Sequence, residues 1–413
     1  VDRLSELDRL AQATPTTRDR TVDFLRGASI VTVVLGHWFI SINHWEAGLI
    51  RTTSAIGLTS GLWLATWFLQ VMPIFFFVGG FSNFVTYSST RRQGSTAWGF
   101  VRGRLRRLLT PSLVFLGVWM AVQVVLHVAD IGAPAGPLVG DDTRLLRGML
   151  PPGATVPFGP LWFLAVYMVV VVIAPVTIWL HRRLGMWVPA VMVVATVVID
   201  LIGFGLDRHG LRYLNIIPVL LFPHQLGHAL ADGTLDRWPR RRLWAMVIAG
   251  LGGLVLMTNP WLFEALLGER RFDWYSTIGH YPKSLLGTDV EPISNAYPPT
   301  ICFLLVGIWT LAAVMLLRPR LRRWLESARL WKATILVNSM IMTLFLWHMT
   351  AYLLAMLLAW PLGFGRQQDS TAGWWLERPL WLALPGLLLA GIVAVVGRFE
   401  RPRSRSSPPV TSD

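Results

Sequence analysis

His37 is the residue in this chain best suited to do chemistry. It is the one ionisable side chain in the apolar run 28–38, and it follows Arg26 after ten intervening residues. On a helix, eleven residues rise roughly 16 Å, about half of a hydrocarbon core some 30 Å thick. Eleven residues also make almost three whole turns, so Arg26 and His37 share a face. A histidine at that depth stands in line with a charged entrance formed by Arg20, Asp23 and Arg26. Imidazole exchanges protons near neutral pH, and this placement describes a general base sunk in a lipid-embedded helix. Arg26 presents a planar donor fork that suits phosphate. Asp23, at i,i+3 from Arg26, is spaced to form an ion pair with it and hold its orientation.

Further polar residues lie where lipid disfavours them, and each is a functional candidate for that reason. His348, in Leu346-Trp347-His348-Met349, is a second intramembrane histidine, read either as a structural hydrogen-bonding residue or as a contact for a bound acceptor. His224 and His228 are i,i+4, a spacing that binds metal only with a third ligand, and no HExxH-like partner accompanies them. No metal is expected. Six arginines between positions 91 and 107, among them Arg102, Arg104, Arg106 and Arg107, exceed what membrane orientation requires. They suit lipid headgroups or the phosphates of a soluble cofactor. Gly79 and Gly80 permit either close helix approach or a local helix break.

The elements that must position these residues are membrane helices. Of 413 residues, 54% are hydrophobic and 15% charged, against about 25% charged in a soluble domain. The 21 tryptophans fit interfacial anchoring. Apolar runs place ten spans near 28–45, 63–85, 108–128, 158–180, 186–205, 213–231, 243–258, 300–317, 335–359 and 379–397. The fold class expected is therefore all-α: a polytopic membrane protein of about ten transmembrane helices. With the N-terminus inside, most of the 37 Lys and Arg residues fall in the inner segments. The positive-inside rule then puts both termini in the cytoplasm. It also explains the net charge of +14 without nucleic acid, for which no soluble basic face exists. The lone cysteine, Cys302, excludes an intramolecular disulfide and a cysteine-based zinc cluster.

Residues 1–19 lack the apolar core of a signal peptide and read as a cytoplasmic leader, residues 20–400 as the membrane domain, and 401–413 as a disordered tail. The outer segments 129–157 and 259–299 are long. Asp273, Trp274 and Tyr275 in the second mix carboxylate and aromatic side chains in the manner of a sugar-binding surface, as does Trp162 at the outer start of the fourth span. Interfacial anchoring would produce the same aromatics.

Taken in order, these segments resemble the acyltransferase-3 family of integral membrane O-acyltransferases. Arg26 and His37 match its Arg-x10-His signature, and Asp23-Phe-Leu25-Arg26 is similar to its Asp-x-Leu-Arg opening. The run from Phe75 through Gly80-Phe81 resembles Phe-Phe-x-Leu-Ser-Gly-Phe, with Gly79 in the serine position. The basic run ending at Pro111 resembles Arg-Arg-x-x-Arg-Leu-x-Pro, and Gly159-Pro-Leu-Trp162-Phe-Leu resembles Gly-Pro-Leu-Trp-x-Leu. Ser339 through Leu346-Trp-His348 resembles a late Ser…Tyr-Leu-x-His segment, with Phe345 where tyrosine is usual.

The resemblance implies transfer of an acyl group, acetyl in many members, from acyl-CoA to a hydroxyl of a cell-surface carbohydrate or glycolipid. Under it His37, Arg26 and Asp23 form the catalytic group, with His37 as general base; an acyl-histidine relay stays open. Arg26, Arg102, Arg104, Arg106 and Arg107 would meet the phosphates of coenzyme A. Trp162, Asp273, Trp274, Tyr275 and His348 would meet the acceptor. The protein would be multi-pass in the inner (plasma) membrane, with lipids, acyl-CoA and the acceptor as partners. A transporter or flippase of a lipid-linked or small polar substrate is the competing class, disfavoured by the absence of a mirrored pair of broken helices.

Overall fold

The computed structural model describes residues 18–46, 49–128, 156–206, 208–259, 281–288 and 294–397. Among them, ten helical stretches are long and apolar enough to cross a membrane. The chain is a polytopic helical membrane protein. Helix α1 (Arg20–Ile40) is followed by a small hairpin, β1 (Ser41–Glu46) and β2 (Leu49–Ser54), and by α2 (Ala55–Leu58) and α3 (Trp63–Leu69). Then come α4 (Met72–Arg92), α5 (Ala97–Val128), α6 (Leu161–Leu184), α7 (Trp187–Gly205), α8 (Ile216–Ala231) and α9 (Arg240–Thr258). The last part holds α10 (Ile301–Trp324), α11 (Ala328–Ser339), α12 (Ile341–Ala359), α13 (Ala372–Leu376) and α14 (Arg378–Val396).

Local chemistry sets the ends of α1. Asp19 caps it, accepting from the Thr21 and Val22 amides at 3.0 and 3.3 Å, and this polar start lies well before the apolar run. The expected first span, 28–45, ends instead at Ile40. The next residues are extended, and β1 pairs antiparallel with β2 from Ser41↔Ser54 to Glu46↔Leu49. Pairing in a hairpin satisfies the backbone groups of this polar stretch without continuing the helix. The second span is interrupted at Gln70 and Val71, where the Gln70 side chain accepts from the Met72 amide at 3.3 Å and Pro73 opens α4. The ninth expected span, 335–359, is two helices. They meet at Met340, whose backbone (φ −127°, ψ 18°) leaves helical geometry just after the Ser339 hydroxyl has bonded the Leu336 carbonyl.

Two large apolar cores hold most of the bundle, with a third around Phe204, Leu254 and Trp309. One gathers α1, α5, α12 and α14 around Trp38, Phe115, Trp119, Trp347 and Trp381. The other gathers α4, α8 and α10 around Phe76, Phe77, Leu226 and Phe303. Of the apolar window of His209–Ala231, 78% is buried, against 17% for Ala97–Val125 and for Arg378–Val396, so α8 is central and α5 and α14 are peripheral. Glycine decides the contact between α4 and α8. A Cβ at Gly80 would lie 2.0 Å from the His224 carbonyl oxygen, and one at Gly227 would lie 2.1 Å from that of Phe77. The glycines therefore serve close approach: α4 runs unbroken through them.

Candidate active site

The site begins with α1, whose start is fixed at several points. One oxygen of Asp19 caps the helix while the other pairs with Arg318 of α10 at 2.5 Å. One turn on, the buried Asp23 carboxylate takes Arg18 Nε at 2.5 Å and Arg26 Nη1 at 3.3 Å. Asn338 of α11 donates to the Asp23 carbonyl at 2.8 Å. Arg26 Nη2 donates to the Ser82 hydroxyl of α4. Asp23 thus holds Arg26 by an ion pair, and both of its oxygens are occupied by guanidinium groups.

Beside Arg26 lies a second inward arginine. Arg104 Nη2 donates to Asn83 Oδ1 at 2.9 Å and reaches the Tyr167 hydroxyl at 3.4 Å. Asn83 is fully buried, and its amide nitrogen bonds His224 Nε2 at 3.2 Å. Arg26, Arg104 and Tyr167 are within electrostatic reach of one another. The other arginines of this run turn outward: Arg102, Arg106 and Arg107 are exposed. Each residue advances about 100° around a helix, so Arg102 and Arg106 sit roughly 200° from Arg104. Of the four arginines on α5 grouped by sequence, the fold brings Arg104 alone to Arg26.

His37 lies in the last turn of α1 and is half-buried. Its ring meets that of His348 edge to edge, with centroids 5.1 Å apart and planes 11° from parallel. His37 Nδ1 and His348 Nε2 are 2.9 Å apart, and His348 Nδ1 is 2.7 Å from the Phe345 carbonyl oxygen. The tautomers follow from this chain of contacts. A carbonyl only accepts, so His348 carries its proton on Nδ1 and offers the Nε2 lone pair. His37 therefore donates Nδ1–H to it. The lone pair of neutral His37 is left on Nε2, which no described residue engages. The dyad is braced from both helices: Trp38 Nε1 donates to the His348 carbonyl at 3.0 Å, and the Tyr352 hydroxyl donates to the Ser41 carbonyl at 3.1 Å.

His348 is wholly buried and both of its ring nitrogens are taken, so no surface of it is left for an acceptor. Trp162 is 50% exposed and points away from the core into which its neighbours Phe158 and Phe163 pack. Asp273, Trp274 and Tyr275 lie outside the described residues. His224 and His228 spend their spacing on helix packing: His228 Nδ1 donates to the Gly80 carbonyl at 3.0 Å, and its Nε2 meets the Thr177 hydroxyl at 3.2 Å. Among the described residues, no group of three His, Cys, Asp or Glu side chains could hold a metal ion. Near the end of α8, His181 Nε2 bonds the Asp232 carboxylate at 2.8 Å. Partial burial pushes that carboxyl's pKa up, but hydrogen bonds from Thr234 and His181 outweigh it and hold the group below the usual range.

Sequence reasoning missed Ser82, Asn83 and Tyr167 as partners of the arginines. Ser82 and Asn83 directly follow the Gly79-Gly80-Phe81 segment, and two polar side chains inside an apolar helix were a usable signal. Gly79 explains Tyr167: a Cβ there would come within 2.8 Å of the tyrosine ring, so the missing side chain makes room for it.

The acyltransferase domain of the acyltransferase-3 family matches residues 19–398. The chain belongs to that family. Comparison with curated proteins and with solved structures gives no match. Family membership makes this polytopic chain a membrane acyltransferase, and the matched stretch contains both arginines and both histidines of the site.

Proposed function

We propose that the chain transfers an acyl group, acetyl first, from acyl-CoA to a hydroxyl of a cell-surface carbohydrate or glycolipid. The observation that carries this reading is the His37–His348 dyad, which leaves the His37 Nε2 lone pair unengaged. In the proposed step His37 Nε2 removes the acceptor's hydroxyl proton as that oxygen attacks the thioester carbon. A tetrahedral oxyanion forms and the carbon–sulfur bond then breaks. The departing thiolate takes the proton back from His37 and leaves as free thiol. His348, coplanar with His37 and hydrogen-bonded to it, orients the base and disperses the charge it gains, a positioning part in place of the acceptor contact expected from sequence. Asp23 holds Arg26 and transfers no proton.

The donor reading is supported by the paired guanidinium groups of Arg26 and Arg104. A phosphate-rich donor with a thioester at the far end of a long arm fits the separation along α1, roughly 16 Å from Arg26 to His37. Arg104 replaces Arg102 and Arg106 as the residue on α5 expected to meet its phosphates.

The test uses purified protein, labelled acetyl-CoA and a panel of glycans and glycolipids. Transfer of label by the wild type and its loss in a folded His37→Ala variant are expected. A His37→Ala variant that folds and transfers normally would remove the general-base assignment. Movement of substrate across proteoliposomes with no thioester consumed would identify a carrier instead.

A further inference from the structure

A basic groove lies on a face of α4 that the catalytic arrangement does not use. It encloses about 560 Å³ and is lined by Phe84, Val85, Ser88, Arg91, Arg92, Arg182 and Ala231. Ser82, which holds Arg26, lies six residues before Ser88 and therefore about 240° around the helix axis. The groove is thus distinct from the Arg26–Arg104 site.

Its chemistry is that of an anion receptor with one apolar wall. Among the described residues, no carboxylate lines it. Asp232, next in sequence to Ala231, turns to His181. Arg182 is held in place, donating to the Ser88 hydroxyl at 2.9 Å while its guanidinium stands 5.3 Å from the Phe84 ring centroid. Arg91 donates to the Ser95 carbonyl at 3.0 Å. Arg92 makes no hydrogen bond or ion pair to any described residue. Helix dipoles alone would repel an anion here, because α4, α6 and α8 all end at this groove. Each C-terminus carries about half a negative charge, so three guanidinium charges exceed that total roughly twofold. Next to it, Arg183 stacks 5.3 Å from the half-exposed Trp179, the pairing of cation and aromatic found where lipid meets water.

We propose that this groove binds a phosphate group, with Phe84 and Val85 seating the apolar part of the same ligand. That chemistry has two sources. One is the headgroup of an acidic phospholipid. The other is a phosphate of the acyl donor, and this source alone rests on the acyl-CoA reading above.

Native mass spectrometry of the detergent-purified full chain, offered phosphatidylglycerol and phosphatidylcholine in equal amounts, tests the proposal. The wild type should retain the acidic lipid in roughly tenfold preference. The double variant Arg92→Gln/Arg182→Gln should lose that preference, and Arg240→Gln/Arg241→Gln, with the same charge removed from the start of α9, should keep it. Ser88→Glu offers Arg182 an internal partner in place of the ligand and should match the first variant even if that variant folds poorly. An unchanged lipid preference combined with a raised KM for acyl-CoA, and no change for acceptor, assigns the phosphate to the donor. If the groove variants behave like Arg240→Gln/Arg241→Gln in both measurements, the proposal is overturned.

Discussion

At the residue scale, the site turns on which nitrogen of His37 holds the lone pair. His348 decides this through its bond to Phe345, so the two histidines have unequal parts. Loss of the proposed base in His37→Ala should lower kcat about 10²-fold to 10⁴-fold, the usual contribution of a positioned acid–base group. His348→Ala keeps the base but frees its ring. It should cost roughly 10-fold to 100-fold in kcat, with KM for acyl-CoA unchanged, because misplacing a reacting group by about 1 Å has effects of that order. Equal KM and kcat losses in His348→Ala would point to a collapsed helix packing instead. Arg104→Lys keeps the charge but loses the planar guanidinium whose Nη2 reaches both Asn83 and Tyr167. It should raise the KM for acyl-CoA about 10-fold, the worth of one charge-assisted hydrogen bond, and leave that for acceptor alone. Arg106→Ala, on an exposed side chain, should do much less.

At the scale of elements, α4 carries more of the site than its composition advertises. Ser82 holds Arg26, Asn83 holds Arg104, and Gly79 and Gly80 admit Tyr167 and α8. Alanine at Gly80 must displace a backbone carbonyl 2.0 Å away, which no rotamer change can relieve. Gly80→Ala should therefore destabilise the protein by about 3 kcal/mol, the upper range for overpacking. A lower unfolding temperature in detergent would register it, and an unchanged temperature would mean that α4 and α8 can slide apart freely. The break at Met340 has a comparable positional effect. It separates α11, whose Asn338 bonds the backbone of α1, from α12, which carries His348.

At the scale of the whole molecule, orientation decides which substrate arrives from which side. By the positive-inside rule we propose that the turn between α4 and α5 lies inside and the segment before α13 outside. The single cysteine, Cys302, is fully buried, so the native chain offers little background to a thiol reagent. Cysteines introduced at the exposed Ser95 and Asp369 should then report opposite sides. In intact cells an impermeant maleimide is expected to label Asp369→Cys and to spare Ser95→Cys until the membrane is opened. The reverse pattern would place the Arg26–Arg104 end outside, where coenzyme A thioesters are absent, and the donor proposal would fail with it.

The sequence by itself determined the class of fold and the membrane acyltransferase family. Ten apolar runs set the number of spans, because lipid admits few other ways to satisfy a backbone. The spacing of Arg26 and His37 placed both on one face of a single helix, a local property that needs no tertiary contact. What lay beyond reach depends on which helices become neighbours. No local pattern links His348 to His37 across 311 positions, or selects Arg104 over Arg106, since both follow from how α5 and α12 are turned against α1 and α4. The hairpin after Ile40 and the break at Met340 were hidden for a related reason. Apolar content sums over a window, whereas the end of a helix is decided by a few hydrogen bonds from side chains such as Ser339, and only the folded chain shows which of those bonds are made.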